Sequence, residues 1–122
     1  MRIAIDARKL ARSGIGIYIK NLINAIAKID SANQYLLLVN DRSETDLLNK
    51  YPANFHLVRL RSRLFSLYEQ FEIPAILKKE KVEIYHSTHY FLPFMQRVKS
   101  IVTIHDLMPV LYPKEYRLAQ RI

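Results

Sequence analysis

The chain has 122 residues, half of them apolar, and no cysteine. That composition supports the core of one domain and excludes both a disulfide framework and a thiolate metal site. Nineteen Lys and Arg against eleven Asp and Glu leave a formal charge of +8, which draws phosphate-bearing ligands of some kind.

The basic residues are dispersed, with small groups at Arg8, Lys9 and Arg12 and at Arg59, Arg61 and Arg63. No long run of like charges and no nucleic-acid motif occurs, so a solvated basic surface is favoured over specific nucleic-acid binding. No segment approaches the roughly 20 apolar residues of a membrane span. The N-terminus runs straight into a strand-like stretch rather than a signal peptide. These features point to a cytoplasmic protein.

In chain order, RIAID (2–6) reads as a short strand. From Ile15 the period changes: Ile15, Ile19, Leu22, Ile23 and Ile26 recur at helical spacing and predict an amphipathic helix over 15–29. Between the two lies SGIG, with Gly14 and Gly16, the only glycines of the chain. A loop entering a helix presents free N–H groups and the positive end of the dipole, and so suits an anion. Glycine lets a ligand come close to the backbone. The stretch is not G-x-G-x-x-G, because Ile19 stands at the third glycine position, and alone it reads first as a structural turn.

NQYLLLVN (33–40) is a continuous apolar run that suits a buried strand. DRSETDLLNKYPAN follows and holds at most a short helix. Its Asp41 only loosely meets the acidic residue that a dinucleotide fold places after its second strand. FHLVRL (55–60) is a third strand. Residues 64–80 have helical character, in which Pro74 must start a new turn or kink the helix. VEIYHS (82–87) and SIVTIHD (100–106) are the fourth and fifth strands. PKEYRLAQRI puts Pro113 at a first helical position and predicts a last helix still running at Ile122, so the chain reads as a fragment.

Strands alternating with helices predict an α/β fold over 1–122: a Rossmann-like, doubly wound, mostly parallel sheet with an order such as 3-2-1-4-5. In such sheets ligands gather outside the carboxyl ends of the strands. That rule selects Asp6, Arg8 and the Ser13–Gly16 loop after the first strand. It selects His86, Ser87, Thr88, His89 and Tyr90 after the fourth, and His105 and Asp106 after the fifth. An isolated His is more often a packed, hydrogen-bonded residue than a ligand group, although His105 at a cleft floor suits a sugar hydroxyl or a reacting phosphate. The H-x-x-H pair of His86 and His89 lacks a carboxylate or thiolate close in sequence, which argues against a metal. Tyr85, Tyr90, Phe91 and Phe94 read as core and cleft lining rather than a platform for bases. No nucleophile elbow is present.

Taken together, IAIDARKLARSGIGIYIKNLINAIAKID, YLLLVND, IYHSTHYFLP and SIVTIHDLMPVLYPKEY resemble, in order and over nearly the whole chain, the N-terminal half of glycosyltransferase family 4. The nearest likeness is to the bacterial mannosyltransferase-type enzymes of cell-surface polysaccharide assembly. The resemblance implies a GT-B architecture, two Rossmann-like domains facing each other across a cleft. The N-terminal domain receives the acceptor, and a C-terminal donor-binding domain, absent from 1–122, holds most of the nucleotide sugar. It implies retaining transfer of a hexose from a nucleotide diphosphate sugar to a glycan or lipid-linked acceptor, with neither metal nor further cofactor. The implied place is the cytoplasm, peripherally at the inner face of the membrane.

Carried onto this chain, Gly14 and Gly16 lie against the donor diphosphate. His105 sits near the donor sugar and the reaction centre, with Asp106 supporting it. His86, Ser87, Thr88, His89 and Tyr90 line the acceptor side, and Arg8, Lys9 and Arg12 meet a phosphorylated or lipid-linked acceptor. The sequence departs from the family at Ile17, where Arg is frequent, and at Glu83, where Asp is usual. Glu72 and Glu80 share the spacing of the family's donor motif, but without its glycine and proline context they read as surface charge. Alone, the chain is expected to be inactive and to self-associate through the exposed cleft face or an unpaired sheet edge. Two other readings stay open: a self-contained Rossmann-like module for a phosphate ligand, and a basic nucleic-acid or membrane-surface binder.

Overall fold

A computed structural model describes residues 1–11, 13–40 and 50–115. Arg12, Asp41 with the rest of 41–49, and the part of the predicted last helix after Glu115 lie outside the described residues.

The strands are β1 (Arg2–Asp6), β2 (Gln34–Val39), β3 (Phe55–Arg59), β4 (Ile84–Ser87) and β5 (Lys99–Val102); the helices are α1 (Ser13–Ile29), α2 (Glu69–Lys79) and α3 (Met108–Leu111). All five strands join one sheet in the order β3-β2-β1-β4-β5, and every neighbouring pair is parallel. This is the Rossmann-like α/β arrangement that the alternation of strand and helix predicts. Among the described residues no helix is long and apolar enough to cross a membrane.

The period-two geometry of β2 feeds both faces of the sheet. Leu36 and Leu38 enter a core with Ala4, Tyr85 and the α2 residues Ile73 and Leu77. Tyr35, Leu37 and Val39 enter the opposite core with Ile5 and the α1 residues Ile19 and Ile23. A strand covered on both faces must be apolar at consecutive positions, which is why YLLLV has no polar interruption. Each of these buried aliphatic side chains contributes about 1.5–3 kcal/mol.

Helix α2 begins at Glu69, later than the sequence predicts, because residues 64–68 form turns around Phe65, whose φ is 63°. Pro74 neither breaks the helix nor opens a new one; it sits inside the continuous span 69–79. At the far end the Val82 N–H donates to the Leu77 carbonyl at 2.9 Å and the Lys81 N–H to the Lys78 carbonyl at 3.1 Å. These are the paired bonds of a Schellman motif, with Lys81 at φ 52° in the position glycine usually fills.

The fifth strand is shorter than predicted. Thr103 N–H still bonds the Ser87 carbonyl at 3.0 Å, but β4 ends at Ser87 and offers no further ladder. His105 and Asp106 therefore lie in a loop beyond the strand. The short α3 that follows is an element the sequence reading misses.

Candidate functional site

Strand β1 pairs with β2 on one side and β4 on the other, so the strand order reverses there. Open parallel sheets bind ligands at the carboxyl edge beside such a switch point. Two groups of side chains meet at this edge, one sealed and one open.

The sealed group is an ion cluster. The Arg8 guanidinium donates from Nε to Asp6 Oδ1 at 3.0 Å, from Nη2 to Asp6 Oδ2 at 2.6 Å, and from Nη1 to Glu69 Oε2 at 2.7 Å. All three side chains are buried. Burial opposes the charge on Arg8, but the hydrogen bonds and charges of Asp6 and Glu69 outweigh it and hold the guanidinium above its usual range. Tyr85 donates to Asp6 Oδ2 at 3.3 Å; burial first, then the Asp6 charge, pushes its phenol above the usual range. Arg8 is thus turned inward with its donors engaged, not presented to an acceptor as the resemblance implies. Lys9 lies nearer the surface, its ammonium 5.3 Å from the centre of the Phe65 ring.

His89 sits beside this cluster at 2% exposure, Nδ1 3.9 Å from Asp6 Oδ2. Neither ring nitrogen has a hydrogen-bond partner among the described residues. Burial pushes its pKa down to about 4, with Asp6 pulling the other way. The ring is neutral near pH 7. The Phe65 edge covers it, ring centres 5.5 Å apart, and Tyr90 stacks on Phe65 at 5.8 Å. Of the five residues expected on the acceptor side after β4, Tyr90 is exposed and His86 half-buried. Ser87, Thr88 and His89 are interior. Ser87 Oγ lies 2.7 Å from the carbonyls of His89 and Phe91, and Thr88 Oγ1 donates to the Asp6 carbonyl at 2.7 Å. Their hydroxyls shape the loop.

The open group joins α1 to the ends of β4 and β5. His86 Nε2 and the Tyr18 hydroxyl both meet Thr103 Oγ1, at 2.7 and 3.2 Å. The Tyr18 ring contacts His105 edge-on, centres 4.9 Å apart. His105 Nε2 donates to the Thr88 carbonyl at 2.8 Å. A carbonyl only accepts, so in the neutral ring Nε2 carries the hydrogen and Nδ1 remains the acceptor. Burial, then the neighbouring His105, lowers the pKa of His86. The pair His86 and His89 diverges, one toward Thr103 and the other toward Asp6.

Tyr18 and Thr103 are the functional-site residues that the sequence reading misses. The available signal was modest: Tyr18 is a polar-tipped residue one turn after Gly14 on a helix otherwise read for its isoleucines, and Thr103 directly follows the last β5 residue.

Helix α1 starts at Ser13, so Gly14 and Gly16 lie in its opening turn and not in a loop. Neither has a positive φ. A Cβ on Gly16 would stand 2.9 Å from the Lys9 carbonyl oxygen and nearer still to that of Leu10. Backbone atoms cannot yield as a side-chain tip does, so helix packing requires this glycine. A Cβ on Gly14 would meet nothing within 4 Å. Of the two, Gly14 is exposed and Gly16 buried, so only Gly14 stands where a ligand could come up to the opening turn. Asp106 is exposed and, among the described residues, makes no hydrogen bond to His105; its Oδ1 accepts from the Met108 N–H at 2.7 Å, at the start of α3. The local role of Asp106 is therefore to close a turn.

A helix start at an exposed glycine, a histidine with a fixed tautomer and two hydroxyl groups can hold a ligand that carries both an anion and hydroxyls. Compared with protein-family models, curated proteins and solved structures, the chain finds no match.

Proposed function

We propose that this chain is the acceptor-side, N-terminal domain of a retaining glycosyltransferase, moving a hexose from a nucleotide diphosphate sugar to a glycan or lipid-linked acceptor in cell-surface polysaccharide synthesis. The reading starts from the ordered resemblance of four segments. The observation that carries it is the meeting of Tyr18, one turn after Gly14 on α1, with His86, Thr103 and His105 at one sheet edge.

In such a transfer negative charge grows on the leaving diphosphate. The N–H groups of the first α1 turn are donors fixed in advance for that charge. His105, held by the Thr88 carbonyl, offers Nδ1 to a sugar hydroxyl and orients the sugar. A second domain would close the cleft at the cytoplasmic face of the membrane.

The test is to express the complete reading frame and screen nucleotide sugars for hydrolysis and transfer. Gly14→Val, which blocks approach to the opening turn, and His105→Ala, which removes the sugar-facing acceptor, are expected to lower kcat about 100-fold with the melting temperature retained, the size of loss seen when one preorganised polar contact is removed. Wild-type rates in both variants overturn the reading. A self-contained phosphate-binding module is the alternative that Gly14 alone favours. It would bind a nucleoside diphosphate tightly without any second domain and without dependence on His105.

A further inference from the structure

The crossover from β4 to β5 carries no helix. Residues 88–98 return from the carboxyl edge to the start of β5 without helix or strand, where a parallel crossover usually lays a helix on the sheet. A trough of about 730 Å³ opens between α2 and this connection. Phe71, Pro74, Leu77, Met95 and Val98 make it largely apolar. Both its size and its lining are those of sites for organic ligands, which run to about 300–1,000 Å³.

Its charge is of one sign. Lys78, Lys81 and Arg97 line the trough, and no carboxylate does. None of the three has an ion-pair partner among the described residues. Lys81 stands three residues before β4, and Arg97 two residues before β5. The positive end therefore lies at the amino-terminal edge of the sheet, opposite the edge that holds His86 and Thr103. Lys81 keeps a left-handed φ of 52° at a helix end where glycine is less strained. The strained position puts a lysine in the lining of the trough.

We propose that this trough binds a single anionic amphiphile, its chain over Phe71, Pro74 and Met95 and its phosphate or carboxylate head against Lys78, Lys81 and Arg97. A recessed apolar lining with cations at one end matches a molecule that is apolar along its length and anionic at its tip. The site is separate from the proposed glycosyl-transfer edge and does not depend on that reading.

Calorimetric titration with monomeric dodecyl phosphate tests it. Binding is expected at one site, about tenfold or more tighter than that of dodecyl maltoside, which keeps the chain, or inorganic phosphate, which keeps the charge. Lys78→Glu with Lys81→Glu removes the charge preference. Ala75→Trp fills the trough without changing charge and abolishes binding; circular dichroism and melting temperature establish that each variant folds. Three results overturn the proposal: equal affinity for dodecyl phosphate and inorganic phosphate, unchanged binding by folded Ala75→Trp, or binding only to phosphatidylglycerol vesicles. The last would make this face a bilayer surface rather than a ligand site.

Discussion

Gly14 and Gly16 respond to an added methyl group in opposite ways. At Gly16 the new Cβ runs into the backbone of Lys9 and Leu10, so Gly16→Ala should destabilise by about 1–3 kcal/mol, as overpacking does. At Gly14 the space is open, and Gly14→Ala should be neutral or stabilise by up to about 1 kcal/mol from the better helix propensity. Urea denaturation of the two variants reads both signs, and a destabilised Gly14→Ala would refute the assignment. The distinction also decides which variant reports on function, because activity lost in a poorly folded Gly16 variant says nothing about a diphosphate.

Arg8 and His89 are the other residues whose environments set a measurable sign. Arg8→Ala leaves Asp6 and Glu69 as buried carboxylates without their cation, and about 3–5 kcal/mol should be lost. His89 is buried neutral, with Asp6, Arg8, Lys9 and His105 facing it. Below its ordinary pKa of about 6.5 the unfolded chain takes up a proton that the folded chain refuses until about pH 4. Its contribution is therefore complete above about pH 6.5 and falls by about 3 kcal/mol as the pH drops toward 4. His89→Leu should flatten the pH dependence of urea stability in this window, and an unchanged slope would count against a buried neutral ring. His86 titrates in the same direction, so some slope remains in the variant.

At the scale of elements, the strand order could be read because β2 announces a two-sided strand and because helical periodicity in α1 separates β1 from it. What ends an element was harder to read. VTIHD has the composition of a strand, yet β5 stops when its partner β4 turns away at Ser87, a fact held in another segment. Arg8 looked like a surface cation because its second carboxylate, Glu69, is 61 residues distant. Gly16 looked like a ligand contact because the atoms that forbid a side chain there belong to the fold of residues 9 and 10. The close of α2 gives a prediction of its own. Lys81→Gly relieves a left-handed lysine and should stabilise the chain by about 1 kcal/mol in thermal unfolding. The same variant should weaken dodecyl phosphate binding, so stability and affinity move in opposite directions.

For the whole molecule the question is what the outer edge of β5 does. Ile101 is 52% exposed on a strand with no outer partner among the described residues, and Val110 and Leu111 of the following α3 are 74% and 64% exposed. An uncovered edge with apolar neighbours is a template for another copy. The formal charge of +8 works against that contact by mutual repulsion. The two effects separate with salt: screening weakens the repulsion and leaves the apolar attraction intact. Sedimentation should therefore show association that grows with protein concentration and strengthens as sodium chloride rises. Ile101→Lys with Leu111→Lys should shift the chain to monomer, whereas Ala75→Trp, on the trough side of the sheet, should leave association unchanged. A monomer at all concentrations would show that this edge is self-protecting, and association that weakens with salt would point to ion pairs between copies in place of the β5 edge.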